Sequence, residues 1–297
     1  MLDLRGILRS GARKVVFPAV ELLWTVGFRM AGALLRPRLR LIAPAGGIKV
    51  LVLAPHPDDE TIGCGGAIAS HLRAGDDVTV CIVTDGAQSK AGKVSAEEMK
   101  ARRKAEAVIA MQRLGGPKLC QLELPEGTWT DSELVESLVA MLAGLNPDVI
   151  YTTSTVDYHP DHIRVATCLA KALQASALAG TLVRLYEVQV PLTPILANTH
   201  VSTVREKREK DYALRAYVTQ WQTLAGLRRL ARYQQGLYST GGSAEIFCEL
   251  TTTHFVALTQ NVGLSYFGLQ PRPFTDPAAW IMGFKARRRM RTRLGID

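Results

Sequence analysis

The chain has 297 residues, of which 47% are hydrophobic and 21% are charged. These values are typical of a soluble globular protein with one large or two small domains, and they exclude extended disorder. The net charge of +9 lies at the two ends: residues 1–49 carry nine Lys/Arg against two acids, and residues 271–297 carry seven against two. A nucleic-acid enzyme would line its cleft with that charge, so we expect no nucleic-acid partner.

Residues 1–44 form a basic, partly apolar segment that we expect to be a helical appendage. Pro18, Glu21 and Arg29 interrupt its apolar run. The run is therefore too broken for a membrane-spanning helix, and it does not match a signal peptide.

Two interpretations of this segment fit its pattern. One is an amphipathic helix on an anionic membrane surface, with Phe17, Trp24 and Phe28 facing the lipid. The other is a helix packed on the protein's own surface. The basic tail, residues 271–297, would add attraction to anionic lipid.

From Lys49 onward, short β-rich apolar runs alternate with helical patterns. Strands are predicted at 49–55, 78–84, 118–124, 148–153 and 182–189, and helices at 63–74, 95–115, 131–145 and 160–179. This alternation predicts an α/β, Rossmann-like fold: a mostly parallel sheet with right-handed crossovers and helices on both faces. Beyond Pro191 the pattern is irregular, with a basic helix near 203–217 and a strand near 245–250. We assign residues 45–270 to this domain.

In such a sheet, ligands bind beyond the carboxyl ends of the strands. The first strand ends in "PHPDDE" (55–60), and the fourth leads into "STVDYHPDH" (154–162). The topology therefore brings one set of polar side chains to a single edge: His56, Asp58, Asp59, His159 and His162.

Crowded carboxylates repel one another, so a cation is expected among them. Two histidines and one carboxylate make a catalytic divalent-metal site, most often for zinc. His56 and Asp59 are three residues apart across a turn, and the HPDH segment offers the third ligand. Because Pro160 suits the first helical position, His159 would cap this helix and His162 would lie in its first turn.

These motifs carry a family resemblance. "APHPDDETIGCGG" (54–66), "VTDG" (83–86), "RKAE" (103–106) and "DYHPDH" (157–162) resemble the LmbE/PIG-L-type de-N-acetylases. Members of that family are zinc hydrolases that remove acetyl groups from N-acetylglucosamine (GlcNAc) conjugates.

The resemblance implies three sets of site residues. The metal ligands would be His56, Asp59 and His162. The catalytic residues would be Asp58 as general base, His159 as stabiliser of the developing oxyanion, and Asp161 as the residue that orients its neighbouring histidine. The substrate contacts would be Arg103 (or the adjacent Arg102), Glu126 and Asp157.

The resulting expectation is a hydrolase dependent on Zn²⁺, or on another divalent ion such as Fe²⁺. It would deacetylate a GlcNAc-type sugar in a glycolipid or glycan precursor. One alternative is a deacetylase of a soluble GlcNAc conjugate, such as a thiol or antibiotic precursor, and another is a catalytically silent sugar-binding protein. The five scattered cysteines, without a CxxC pair, favour a reducing compartment. We therefore expect a cytoplasmic protein, peripheral at the inner face of the membrane if residues 1–44 contact lipid.

Overall fold

The computed structural model describes residues 22–35, 37–89, 94–157, 159–176, 178, 180–188, 192, 194, 196–220, 233–261, 288 and 292. Phe17 and nearly all of the basic tail lie outside these ranges. The strands are β1 (Arg40–Ile42), β2 (Lys49–Ala54), β3 (Asp77–Thr84), β4 (Lys118–Leu124), β5 (Val149–Thr153), β6 (Leu182–Tyr186), β7 (Thr199–Ser202) and β8 (Ala244–Thr251). The helices are α1 (22–35), α2 (Asp59–Ala74), α3 (Ala96–Arg113), α4 (Asp131–Leu145), α5 (Pro160–Ala175), α6 (Lys207–Leu214), α7 (233–238) and α8 (Thr252–Asn261), with a 3-10 turn at Val218–Gln220.

These strands form one mixed sheet in the order β1-β7-β8-β6-β5-β2-β3-β4. The five strands β6, β5, β2, β3 and β4 are parallel to one another, and β1 is parallel to β7. Only β8 runs antiparallel to its neighbours β6 and β7. The predicted α/β class and the five predicted parallel strands are confirmed.

Both faces of the sheet are covered by helices. Leu51 and Leu53 of β2 belong to a buried core with α4, α5 and α8. Val50 and Val52 belong to a second core with α2, α3 and α6. A strand that is buried on both faces has a continuous run of apolar residues, and this run made β2 recognisable in the sequence.

Three features differ from the sequence expectations. Strands β1 and β7 were not predicted, because runs of three and four residues carry too short a pattern. Since β1 pairs with β7, the sheet begins before the boundary expected at residues 44 and 45. Helix α2 starts at Asp59 instead of residue 63, because carboxylates are favoured in the first turn of a helix.

Helix α1 packs on the protein's own surface. Phe28 is 7% exposed, and its ring stacks on Tyr233 of α7 with centroids 4.9 Å apart. Trp24 is half-buried against the same core. The expectation that Trp24 and Phe28 face lipid is therefore wrong, since these rings face inward. Among the described residues, no helix is long and apolar enough to cross a membrane.

Candidate metal centre

Two turns at the carboxyl edge of the sheet carry the candidate ligands. The turn after β2 holds His56 and leads into α2 at Asp59, while the turn after β5 holds His159 and leads into α5. Because β2 and β5 are parallel neighbours, both turns lie at the same edge. Pro160 is the first helical residue of α5 and His159 its N-cap, as their order in the sequence predicted.

Three donor atoms form a compact triangle at this edge. Nδ1 of His56 lies 3.2 Å from Oδ2 of Asp59 and 3.3 Å from Nε2 of His162, and the latter two atoms are 3.2 Å apart. Ligand bonds of about 2.0–2.1 Å at tetrahedral angles place the donors about 3.3–3.4 Å apart. The triangle therefore has the dimensions of one face of a tetrahedral metal site.

Other potential ligands surround this triangle. Donor atoms of His56, His159 and His162, and those of His56, Glu126 and Asp161, lie within 4.8 Å of one another. Asp161 and Glu126 approach Nε2 of His56, at 3.3 and 3.6 Å, whereas the donor of His56 in the triangle is Nδ1. These two carboxylates are thus better placed to act around an ion held by the triangle than to bind it.

The pKa shifts of the side chains in the triangle indicate that the site favours positive charge. Although burial opposes its charge, Asp59 and Asp157 hold the pKa of His162 well above its ordinary value. Burial also opposes the charge of Asp59, but His162 and His56 hold its pKa well below the usual range. Two imidazoles and a carboxylate suit zinc or iron, so the buried donor set fits a divalent cation.

A carboxylate lies behind each of the two histidines. Nε2 of His56 is 3.3 Å from Oδ2 of Asp161. Nδ1 of His162 is 3.2 Å from Oδ2 of Asp157, a distance suited to an ion pair although the angle is not that of a hydrogen bond. Such carboxylates fix the orientation of ligand imidazoles. The carboxylate of Asp161 thus contacts the distant His56, its backbone N–H contacts the neighbouring His159, and Asp157 is buried behind His162.

Of the two arginines considered for the site, only Arg103 reaches it. Its Nη2 donates to Oδ1 of Asp58 at 3.1 Å and to the carbonyl oxygen of Pro57. The neighbouring Arg102 is exposed and pairs with Glu98 on its own helix. Arg103 therefore ties α3 to the turn after β2.

Asp58 lies next to the triangle without belonging to it. Burial raises the pKa of Asp58 to about 8; Arg103 opposes this rise, while Asp59 and Glu60 add to it. Its backbone has φ 126°, a region that residues other than glycine rarely adopt. A carboxylate with such a pKa can exchange protons near neutral pH.

His159 is arranged as a neutral hydrogen-bond donor. The backbone N–H of Asp161 donates to Nδ1 of His159 at 3.3 Å, so the neutral ring carries its proton on Nε2. Burial, with the nearby His56 and His162, lowers the pKa of His159 to about 4. The neutral ring therefore offers a hydrogen-bond donor without taking up a second proton.

Glu126 lies close to His56. Its Oε1 is 3.6 Å from Nε2 of His56, and its Oε2 accepts a 2.9 Å hydrogen bond from the backbone of Gln88. Asp85 holds the backbone N–H of Glu126 at 3.1 Å. The loops after β3 and β4 therefore fix this carboxylate beside the histidines.

Sequence reasoning missed the surroundings of Glu60. This residue is fully buried, and its carboxylate accepts hydrogen bonds from the hydroxyl of Tyr217 and the backbone of Asp58. Tyr217 lies 157 residues further along the chain, outside any recognised motif. No signal in the sequence linked the two residues.

A mostly parallel α/β sheet with a His–Asp–His cluster at its carboxyl edge fits the binding of one divalent metal ion. Residues 51–173 match the family model described as PIG-L, GlcNAc-PI de-N-acetylase. This part of the chain is thus similar to the PIG-L-type de-N-acetylases, and the resemblance found in the sequence is confirmed.

Curated relatives are named as deacetylases of GlcNAc-containing sugars. The 1D-myo-inositol 2-acetamido-2-deoxy-alpha-D-glucopyranoside deacetylase of Tsukamurella paurometabola is 32% identical over 44% of this chain and 57% of its own length. The diacetylchitobiose deacetylase of Thermococcus kodakarensis is 31% identical over 38% of this chain and 45% of its own. The chain therefore spans about half the length of the curated relatives it matches.

Solved structures share the fold. N,N'-diacetylchitobiose deacetylase from Pyrococcus horikoshii superposes with a TM-score of 0.62 at 24% identity, over 70% of this chain and 85% of that one. GalB, a 4-carboxy-2-hydroxymuconate hydratase from Pseudomonas putida, superposes with a TM-score of 0.57 at 18% identity, over 69% and 97%. A deacetylase and a hydratase thus share this fold, so the fold alone does not decide the reaction.

We expect His56→Ala and His162→Ala each to abolish stoichiometric zinc binding, because each removes one donor of the triangle. Asp157→Asn and Asp161→Asn should weaken binding by about 10–100-fold, the usual effect of losing a carboxylate behind a ligand histidine. Competition with a chromophoric chelator measures both effects, with the exposed His254→Ala as control. Wild-type zinc affinity in His162→Ala would contradict the assignment.

Proposed function

We propose that this chain is a metal-dependent hydrolase that removes the N-acetyl group from a GlcNAc-type sugar. The observation that carries the proposal is the triangle of His56, Asp59 and His162 beside Asp58, a separate carboxylate with a raised pKa. The PIG-L match and the names of the curated relatives support the same chemistry.

The three donors of the triangle would hold the ion, with zinc as our first choice. A bound divalent ion supplies Lewis acidity, which lowers the pKa of water and polarises a carbonyl oxygen. Asp58 would accept the proton of the attacking water, because it adjoins the ligands and titrates near neutral pH. Arg103 would fix the orientation of the Asp58 carboxylate by donating to Oδ1.

Amide hydrolysis also needs a donor for the oxyanion and a proton for the leaving amine. Nε2–H of His159 would donate to the oxyanion, a task that a neutral ring performs without reorganisation. The low pKa of His159 makes it a poor store for a second proton. Asp58, once protonated, would therefore deliver that proton to the amine.

The substrate would be an amino sugar with its acetamido group at the triangle. Glu126, held beside His56 by the backbone N–H of Gln88, would accept a hydrogen bond from a sugar hydroxyl. A glycolipid or glycan precursor and a soluble GlcNAc conjugate both contain the reacting amide.

Amine release from a panel of lipid-linked and soluble GlcNAc compounds tests the proposal, and no release from any of them by zinc-loaded protein would contradict it. A catalytically silent sugar-binding protein would have no use for Asp58.

Asp58→Asn should reduce amine release by more than about 100-fold, since it removes the proposed base. Zinc affinity should stay near that of the wild type, because Asp58 is not a donor of the triangle. Kinetics and chelator competition on the same preparation separate the two effects. Full activity in Asp58→Asn, or loss of its zinc, would contradict the assignment.

His159 can be tested with two variants that separate its two roles. His159→Asn keeps an N-cap acceptor but removes the Nε2 donor, so kcat should fall by about 100–1000-fold. His159→Gln places an amide donor near the position of Nε2 and should retain more activity than the Asn variant. If His159→Asn kept wild-type kcat, the residue would only be a helix cap.

We also propose that α1 contacts an anionic membrane at the cytoplasmic face. Its outward side is an apolar stripe with side chains 46% to 81% exposed: Leu22, Leu23, Val26, Met30 and Leu34. Four of them recur every fourth residue, on the side of the helix away from the buried Phe28. The basic character of residues 1–49 is complementary to anionic lipid.

We expect the full-length protein to co-sediment with vesicles containing anionic phospholipid, and high salt should release only part of it. Salt screens charges but does not weaken the burial of apolar side chains. The double variant Leu23→Glu/Leu34→Glu should lose most of the binding. Ile109→Glu, which changes an exposed apolar residue on α3, is the matched control. Wild-type protein that never co-sediments would contradict the proposal and favour a soluble substrate.

A further inference from the structure

Helix α2, which starts with Asp59, is broken one turn later. Cys64 has φ −140° and ψ 19°, outside the helical region, and glycines stand at positions 63, 65 and 66. Glycine weakens a helix by about 1 kcal/mol relative to alanine, so this part of α2 has little helical preference of its own. The sequence around Cys64 therefore does not fix the direction of the first turn.

An ion pair from elsewhere in the fold occupies the break. The carboxylate of Glu245, at the start of β8, accepts hydrogen bonds of 2.8 Å from the backbone N–H groups of Gly66 and Ala67. Nζ of Lys210, on α6, donates to the carbonyl oxygen of Ile62 at 2.8 Å and to Glu245 at 2.5 Å. In an unbroken helix, the N–H of Gly66 would bond to that same carbonyl oxygen.

The ion pair thus substitutes for the helical hydrogen bonds across the break. It lies in the interior, with the side chain of Glu245 6% exposed and that of Lys210 21% exposed. The absence of a side chain at Gly66 lets the carboxylate approach, because a Cβ there would lie 3.1 Å from Oε1 of Glu245 and 2.4 Å from Thr203.

Backbone bonds connect this pair to the candidate metal centre. Lys210 holds the carbonyl oxygen of Ile62, and the N–H of Ile62 donates to the carbonyl oxygen of Asp58 at 2.9 Å. Asp59, whose Oδ2 is a donor of the metal triangle, lies within this same turn. Lys210 therefore holds the C-terminal end of the first turn of α2. The candidate base Asp58 and the candidate ligand Asp59 lie at the N-terminal end of the same turn.

We propose that Lys210 and Glu245 are positioning residues that set the direction of the first turn of α2, and through it the place of Asp59 in the metal site. The proposal rests on one part of the proposed function, namely that the triangle binds a metal ion. It does not depend on which amide, if any, the protein hydrolyses.

The test measures zinc affinity and unfolding separately. Glu245→Gln, Lys210→Met and the double variant should each raise the Kd for zinc by about 10–100-fold, the scale seen when the support of a ligand is lost. The double variant leaves no unpaired buried charge, so it is the variant expected to fold best. Lys210→Arg keeps the charge and donors and should restore most of the affinity. Lys207→Met removes an exposed lysine from the same helix and is the matched control.

A merely structural role would lower the midpoint of urea unfolding while the folded variant kept its zinc affinity. If the folded double variant bound zinc within about threefold of the wild type, far below the 10–100-fold effect expected, the inference would be overturned. Wild-type protein that binds zinc but releases no amine would overturn the proposed function alone, and weaker zinc binding by the variants would still support the positioning role. At saturating zinc, positioning also predicts a lower kcat with KM little changed.

Discussion

The concentration of negative charge after β2 is the constraint on which the site depends. Asp58, Asp59 and Glu60 are all buried, and adjacent buried carboxylates are costly unless each one is compensated. The structure compensates them differently: Arg103 pairs with Asp58, the histidines surround Asp59, and hydroxyl and backbone donors satisfy Glu60. Three neighbouring acids thereby acquire three different environments. Under the proposed function, this separation would leave one of them to bind a cation and its neighbour free to move a proton.

Much of this arrangement was predictable, because it follows from periodicity and topology. The apolar runs predicted β2 and β5, and neighbouring parallel strands have their carboxyl ends at the same edge of the sheet. His56, Asp59, His159 and His162 were therefore placed together before any distance was known. The cap of α5 was equally predictable, because proline at the first helical position fixes where the helix begins.

The remaining features depend on contacts between residues far apart in the chain. That Asp161 lies behind His56, 105 residues away, is decided by side-chain packing and leaves no periodic signal. The same holds for Tyr217 on Glu60. Strands β1 and β7 are too short to show a pattern. In α1 the interrupted apolar pattern predicted a helix, but only its contact with Tyr233 decided which side faces inward.

Backbone strain at Asp58 fits the same picture. A residue other than glycine at φ 126° costs on the order of 1–3 kcal/mol, and it persists only where its surroundings determine it fully. Here Arg103 holds the carboxylate of Asp58 and the carbonyl oxygen of Pro57, Glu60 holds the N–H of Asp58, and the N–H of Ile62 holds its carbonyl oxygen. These bonds come from α3 and from the first turn of α2, not from the sheet. The sheet thus brings the site residues to one edge, whereas the helices around it fix the geometry in which they can react.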